Sequence, residues 1–237
     1  MLDPKGRVVM VSGANRGIGL AVAQVLHAKG YSLSLGARDQ AALERATAGF
    51  DAARVLRAAY DAAKPATNEA WVAATVERFG RIDGLVNNAG IATPARIEDP
   101  DESRFDRLWE INVKAPLRMI RLTLPHLRRA GSGRVVNVAS LSGKRVKNDN
   151  AGYAMSKFAL LALTHSVRLI GWSDGVRATA LCPGFVATDL TAGVTKVARH
   201  AMIDPTDLAE LAAAVIALPN NAVVAEVLVN CQLEDML

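Results

Sequence analysis

Apolar positions along the chain follow two alternating rhythms. Short runs without polar interruption lie near 7–12, 31–36, 54–60, 84–87, 133–139, 176–181 and 223–229. Stretches with helical spacing fill 17–29, 39–48, 67–79, 101–130, 151–171 and 205–217. A run such as Val8-Val9-Met10-Val11 shows no alternation, which suits a strand buried on both faces. Strands alternating with helices predict an α/β fold, with a parallel sheet covered by helices on both sides. Right-handed crossovers then give a doubly wound sheet of about seven strands. The last helix carries strong start signals: Asp204 to cap, Pro205 for the first turn, and Asp207 to complement the helix dipole. Pro116 falls inside the long 101–130 pattern and predicts a kink or break there.

Composition narrows this picture. Apolar residues make up 51% of the 237 residues, ample for a sizeable core. No low-complexity linker or long charge run divides the chain, so residues 1–237 are expected to form a single domain. The formal net charge is +5, but the basic residues are dispersed. Arg128-Arg129 and Lys144-Arg145 are short clusters without interleaved aromatics, which disfavours nucleic acid as a partner. The histidines, at 27, 126, 165 and 200, show no metal-ligand spacing, and no metal is expected. Cys182 and Cys231 form no CxxC and sit in apolar contexts, as reduced core thiols do. Asp3, Lys5 and Arg7 open the chain with no apolar signal region before them, so a cytoplasmic protein is expected. The longest apolar stretch, Leu211 to Leu218, is too short to span a bilayer, and no membrane partner is expected.

The chemistry-bearing motifs all fall at predicted strand ends. Gly13-Ala14-Asn15-Arg16-Gly17-Ile18-Gly19 follows the first strand and opens the first helix. Such a turn lets backbone approach a pyrophosphate at a helix N-terminus; the alternative is a tight connection that binds nothing. Asn87-Asn88-Ala89-Gly90, Asn112, Val138-Ala139-Ser140 and Pro183-Gly184-Phe185-Val186-Ala187-Thr188 come later. Between them lie Tyr153 and Lys157, four residues apart and so on one helix face. A neighbouring cation favours a phenolate, and a phenol so tuned can exchange a proton with a carbonyl or alcohol oxygen.

In this order and spacing the set resembles the short-chain dehydrogenase/reductase family, over about residues 5–229. The resemblance implies a Rossmann-like fold and hydride transfer between a nicotinamide cofactor and a carbonyl or secondary alcohol. It assigns Tyr153 as general acid and base and Lys157 as the group that lowers its pKa and bonds the nicotinamide ribose. Ser140 would hold the substrate oxygen, and Asn112 would anchor a water leading from Lys157 to solvent. Taken singly, Ser140 could cap a strand end and Asn112 could satisfy backbone groups in the kinked helix. Gly13, Arg16, Gly17, Ile18 and Gly19 map onto the pyrophosphate turn; Asp61 maps onto the adenine contact at the end of the third strand. Asn87, Ala89 and Gly90 map beside the adenine ribose, and Pro183, Gly184, Val186 and Thr188 onto the nicotinamide side. The resemblance also implies a homodimer or homotetramer built through helices 101–130 and 151–171.

Cofactor choice turns on the second strand, Leu35-Gly36-Ala37-Arg38-Asp39. An acid at its end would bind a ribose 2′-hydroxyl and repel a 2′-phosphate. Ala37 occupies that position and Arg38 follows, so with Arg16 converging the sequence favours NADP over NAD. Two alternatives stand: Arg38 pairs with Asp39, or a one-residue shift restores Asp39 as the acid. Residues 189–204 correspond to the family's substrate lid, with Leu190, Val194, Val197 and Met202 hinting at an apolar carbonyl substrate. The family's Gly-rich tail is missing, and Cys231 to Leu237 is too short to add a helix. A non-catalytic dinucleotide sensor or scaffold on the same fold is the competing reading.

Overall fold

The structure is a computed structural model that describes residues 1–233. The expectation for the C-terminal residues after Cys231 therefore lies mostly outside the described part. Seven strands form one sheet in the order β3-β2-β1-β4-β5-β6-β7, with every neighbouring pair parallel. They are β1 (Val8–Ser12), β2 (Ser32–Ala37), β3 (Val55–Ala59), β4 (Gly84–Asn87), β5 (Arg134–Val138), β6 (Arg177–Pro183) and β7 (Glu226–Val229). The helices are α1 (Gly17–Ala28), α2 (Gln40–Ala46), α3 (Pro65–Phe79), α4 (Ser103–Trp109), α5 (Ala115–Arg129), α6 (Ala151–Gly171) and α7 (Pro205–Ala217). The strand order reverses between β1 and β4, the switch point at which doubly wound sheets open a crevice.

Burial follows the sequence rhythm. β1, β4, β5 and β6 are buried at every position. One core, between the sheet and α1 and α7, is built from residues such as Leu26, Leu33, Leu35, Leu208 and Ile216. The opposite face packs Trp71, Ile82, Leu85, Met119 and Leu127. The indole of Trp71 lies where a Cβ on Gly36 would sit 2.9 Å away, and its Nε1 donates to Ser34 Oγ at 2.8 Å. β2 thus accepts a large ring only because Gly36 has no side chain.

Two elements differ from the sequence expectation. The kink or break expected at Pro116 falls a few residues earlier. Glu110–Lys114 form a π-helical turn between α4 and α5, and Pro116 follows it directly within a continuous helical backbone. The break is therefore centred on Asn112. The last strand begins at Glu226 rather than near 223, leaving a short edge. No helix among the described residues is long and apolar enough to cross a membrane, and none of them forms a metal-binding group of three or more His, Cys, Asp or Glu.

Candidate active site

The parallel topology carries the ends of β1, β4, β5 and β6 to one edge of the sheet. Gly13 follows β1 directly, and its N–H donates to Gly36 O at 2.8 Å, folding the Gly-rich turn over the end of β2. Gly17 opens α1 at φ +54, a left-handed conformation that other residues adopt at a cost. Gly19 is required by proximity: a Cβ there would lie 2.3 Å from Gly13 O. Arg16 and Ile18 lie on the same turn, Arg16 just before α1 and Ile18 packed against the first core. The turn leaves the N-terminus of α1 approachable, as an anionic pyrophosphate needs.

At the end of β4, Asn87 is buried and donates through Nδ2 to Asn137 Oδ1 at 2.8 Å. Asn137 in turn donates to Thr164 Oγ1 at 2.8 Å. Asn87 Oδ1 is buried with no hydrogen-bond partner. An orphaned acceptor is costly unless a donor reaches it, and a ribose hydroxyl is a donor of the required kind. Asn88 donates to Ser12 O at 2.9 Å, tying β4 to the Gly-rich turn. The Ser12 hydroxyl accepts from the Ala89 N–H at 3.0 Å. Asp61 stands two residues beyond β3, not at its end, and its Oδ1 accepts from Ala63 N at 3.0 Å in a local turn.

Asn112 lies in the π-helical turn and reaches the loop after β4. Its Nδ2 donates to Ile91 O at 2.9 Å and to Ser156 Oγ at 3.0 Å; its Oδ1 accepts from Ile91 N at 3.0 Å. Gly90 lies against it, since a Cβ there would be 3.2 Å from Oδ1. The π turn supplies the extra residue that turns this carboxamide inward.

Ser140 follows β5, and its hydroxyl accepts from Ser142 N at 3.1 Å. Tyr153 and Lys157 occupy one face of α6, whose N-terminus is capped by Asn150 accepting from Tyr153 N at 3.3 Å. Lys157 is 6% exposed, donates to Val138 O at 2.9 Å and stands 5.6 Å from the Tyr153 ring centroid. Burial lowers its pKa to about 8, with the Cys182 thiol acting in the opposite sense. Burial also raises the Tyr153 phenol above its ordinary value, partly offset by its contact with the Ser140 hydroxyl. The expected lowering of the phenol pKa by Lys157 is not seen. The ammonium is aimed at a carbonyl beside the ring, and desolvation governs both groups. Cys182, on β6, is buried with its thiol pushed up to about 12 by desolvation first, so it is inert; Cys231 is half-buried and both are free thiols.

Pro183 ends β6, and Gly184 N donates to Val229 O at 2.8 Å. Val186 is buried and bridges Ile203. Thr188 abuts the Gly-rich turn: a Cβ on Gly17 would lie 3.3 Å from its Cγ2. In the segment that follows, Val197 and Met202 are buried while Leu190 is 58% exposed.

At the cofactor-choice position, Ala37 is the last residue of β2 and buried, so the register is fixed. Asp39 lies beyond the strand end and accepts from Ala42 N at 2.9 Å as the cap of α2. Arg38 is exposed beside it. The Arg16 guanidinium pairs with Asp189 at 2.9 Å. Sequence reasoning passed over Ser156, the Val138 carbonyl and Asp189. Ser156 stands within the Tyr153–Lys157 stretch and Asp189 directly follows Thr188; their partners lie far away in the chain and left no local signal.

The family model described as "short chain dehydrogenase" matches residues 7–198. The chain belongs to the short-chain dehydrogenase family. That family comprises oxidoreductases acting on alcohol and carbonyl groups, and the fold is its NAD(P)-binding Rossmann fold. The chain is 48% identical over 97% of its length to "Agropine synthesis reductase" from Rhizobium rhizogenes, of which it covers 53%. It thus spans about half the length of that curated relative. Among solved structures of the family it is similar to an alcohol dehydrogenase from Thermococcus sibiricus complexed with 5-hydroxy-NADP. There the TM-score is 0.84 at 30% identity, with 94% of this chain and 95% of that chain covered. It is also similar to 3-ketoacyl-(acyl-carrier-protein) reductase from Brucella melitensis complexed with NADH. That match has a TM-score of 0.88 at 29% identity and covers 96% and 98% of the two chains.

Proposed function

We propose that this chain is an NADP(H)-dependent oxidoreductase that interconverts a carbonyl and a secondary alcohol. The observation that carries the reading is the arrangement of Tyr153, Lys157, Ser140 and Asn112 around the ends of β4 and β5. The nicotinamide, when bound, supplies or accepts the hydride. The protein's part is the proton and the orientation. In reduction Tyr153 donates its proton to the substrate oxygen, and in oxidation it accepts one. Its raised pKa keeps it protonated at neutral pH, the state that reduction needs. Ser140 holds the substrate oxygen as charge develops on it. Lys157 would bond the nicotinamide ribose, and its charge would then act on the phenol. Asn112 holds the path along which Lys157 recovers a proton.

Gly13, Gly17, Gly19 and Ile18 form the pyrophosphate turn. Asn87 Oδ1, Ala89 and Gly90 serve the ribose, Asp61 the adenine, and Val186 and Thr188 the carboxamide. Arg38 supports NADP over NAD, because Ala37 leaves no carboxylate to repel a 2′-phosphate. Residues 189–204 act as the substrate lid of a single domain. Self-association through α4, α5 and α6 is supported by Trp109, Met155 and Phe158, which are 43%, 55% and 43% exposed. The test is a panel of aldehydes, ketones, 3-oxoacyl thioesters and hydroxy acids with each cofactor, followed by nicotinamide absorbance. Carbonyls come first, because the curated relative is named a reductase. Nucleotide binding without turnover of any carbonyl or alcohol would favour a sensor instead.

A further inference from the structure

The Gly-rich turn and the start of the lid are held together by one ion pair, Arg16 Nη1 to Asp189 Oδ2 at 2.9 Å. Both residues line a cleft of about 320 Å³ together with Gly17, Thr188 and Arg199. Arg199 pins the same segment by donating to Thr188 O at 3.3 Å and Ala187 O at 3.2 Å. Asp189 itself does not build the turn it begins: the Ala192 N–H bonds its backbone carbonyl, not its side chain. Its carboxylate is committed to Arg16.

We propose that Asp189 is a specificity-determining residue that competes with the cofactor's 2′-phosphate for Arg16. The inference rests on the NADP reading above. A carboxylate held against the guanidinium offsets its charge and repels a phosphate dianion brought to the same side chain. Both partners are 67% exposed, so the pair is weak and salt-screened. Such a pair is displaced by a dianion but still lowers its affinity. Binding NADP(H) then releases Arg16 from the lid, whereas NAD(H), without the 2′-phosphate, leaves the pair intact. The cofactor's phosphate and the freedom of the lid are thereby linked, and each must weaken the Arg16–Asp189 pair to favour the other.

The test measures dissociation constants of NADPH, NADH, adenosine 2′,5′-bisphosphate and AMP for wild type, Asp189→Asn, Arg16→Gln and the double variant. Asp189→Asn is expected to tighten NADPH and adenosine 2′,5′-bisphosphate by about two- to fivefold, the range of an exposed ion pair. NADH and AMP should be unchanged, and the gain should vanish in the Arg16→Gln background. A change shared by NADH and NADPH, or a gain that survives Arg16→Gln, overturns the proposal. A wild type that binds both cofactors equally, yet gains 2′-phosphate affinity in Asp189→Asn, overturns the NADP preference and leaves the competition standing.

Discussion

Asn112 donates to the Ser156 hydroxyl at 3.0 Å, and that hydroxyl donates to the Tyr153 carbonyl at 2.8 Å. Ser156 thus joins the π-helical turn to the first turns of α6. Ser156→Ala removes one buried acceptor for Asn112 Nδ2, at a cost of about 1 kcal/mol. The expected result is a kcat lowered by about three- to tenfold with NADPH affinity unchanged. Stopped-flow kinetics and a fluorescence titration check it; a kcat equal to wild type would show that the Ile91 bonds alone hold Asn112.

Tyr153→Phe removes the proton donor and almost no volume. Turnover should fall by about 10²–10⁴-fold, the usual range for a lost general acid, while the melting temperature and NADPH affinity stay near wild type. Near-normal turnover by the purified variant would remove Tyr153 from the mechanism.

Lys157 gives a prediction in pH. Its pKa in the folded chain is about 8, below the ordinary value of 10.5. Between these values the unfolded chain binds more protons, so the contribution of this group to stability rises with pH there. It is fully present above about 10.5 and lost as pH falls through about 8. Lys157→Met should therefore gain stability relative to wild type at pH near 7, and the gain should shrink toward pH ~10. Thermal melts at the two pH values check this, and a difference independent of pH contradicts a buried, depressed ammonium. In activity, Lys157→Ala should weaken cofactor binding, and its residual rate of alcohol oxidation, which needs the phenolate, should require higher pH.

Arg38→Ala should lose about tenfold in NADPH affinity and leave NADH nearly untouched, as expected for a partly exposed charge-assisted bond. Ala37→Asp should reverse the preference, since it adds an acceptor for the 2′-hydroxyl and repulsion toward the phosphate. Salt should weaken NADPH binding more than NADH binding. Fluorescence titrations in low and high salt are sufficient, and an Arg38→Ala loss shared by both cofactors would make Arg38 a surface residue.

Met155 and Phe158 share the exposed face of α6. Replacing both by Glu should shift an assembly toward monomer without lowering the monomer's stability by more than about 0.5 kcal/mol, as for surface sites. Sedimentation velocity reads the shift. An unchanged sedimentation coefficient would place the interface elsewhere.

The sequence alone determined the α/β architecture, because unbroken apolar runs such as Val8–Val11 alternate with helical stretches that can cover both faces of a parallel sheet. It also placed Gly13–Gly19, Asn87, Ser140, Tyr153, Lys157 and Thr188 at strand ends or on the following helices. Their signals are local: backbone freedom, helical spacing, and the apolar-to-glycine transition. The tertiary structure decided what depends on distant partners. The interruption at Asn112 is a π turn just before Pro116, held by side-chain bonds to Ile91 and Ser156 from other segments. The charge states of Tyr153 and Lys157 follow from burial, which spacing does not reveal. The pairing of Arg16 with Asp189 brings together residues 173 positions apart. Only the folded sheet, which lays the Asp189–Thr191 turn against the Gly-rich turn, makes that ion pair possible.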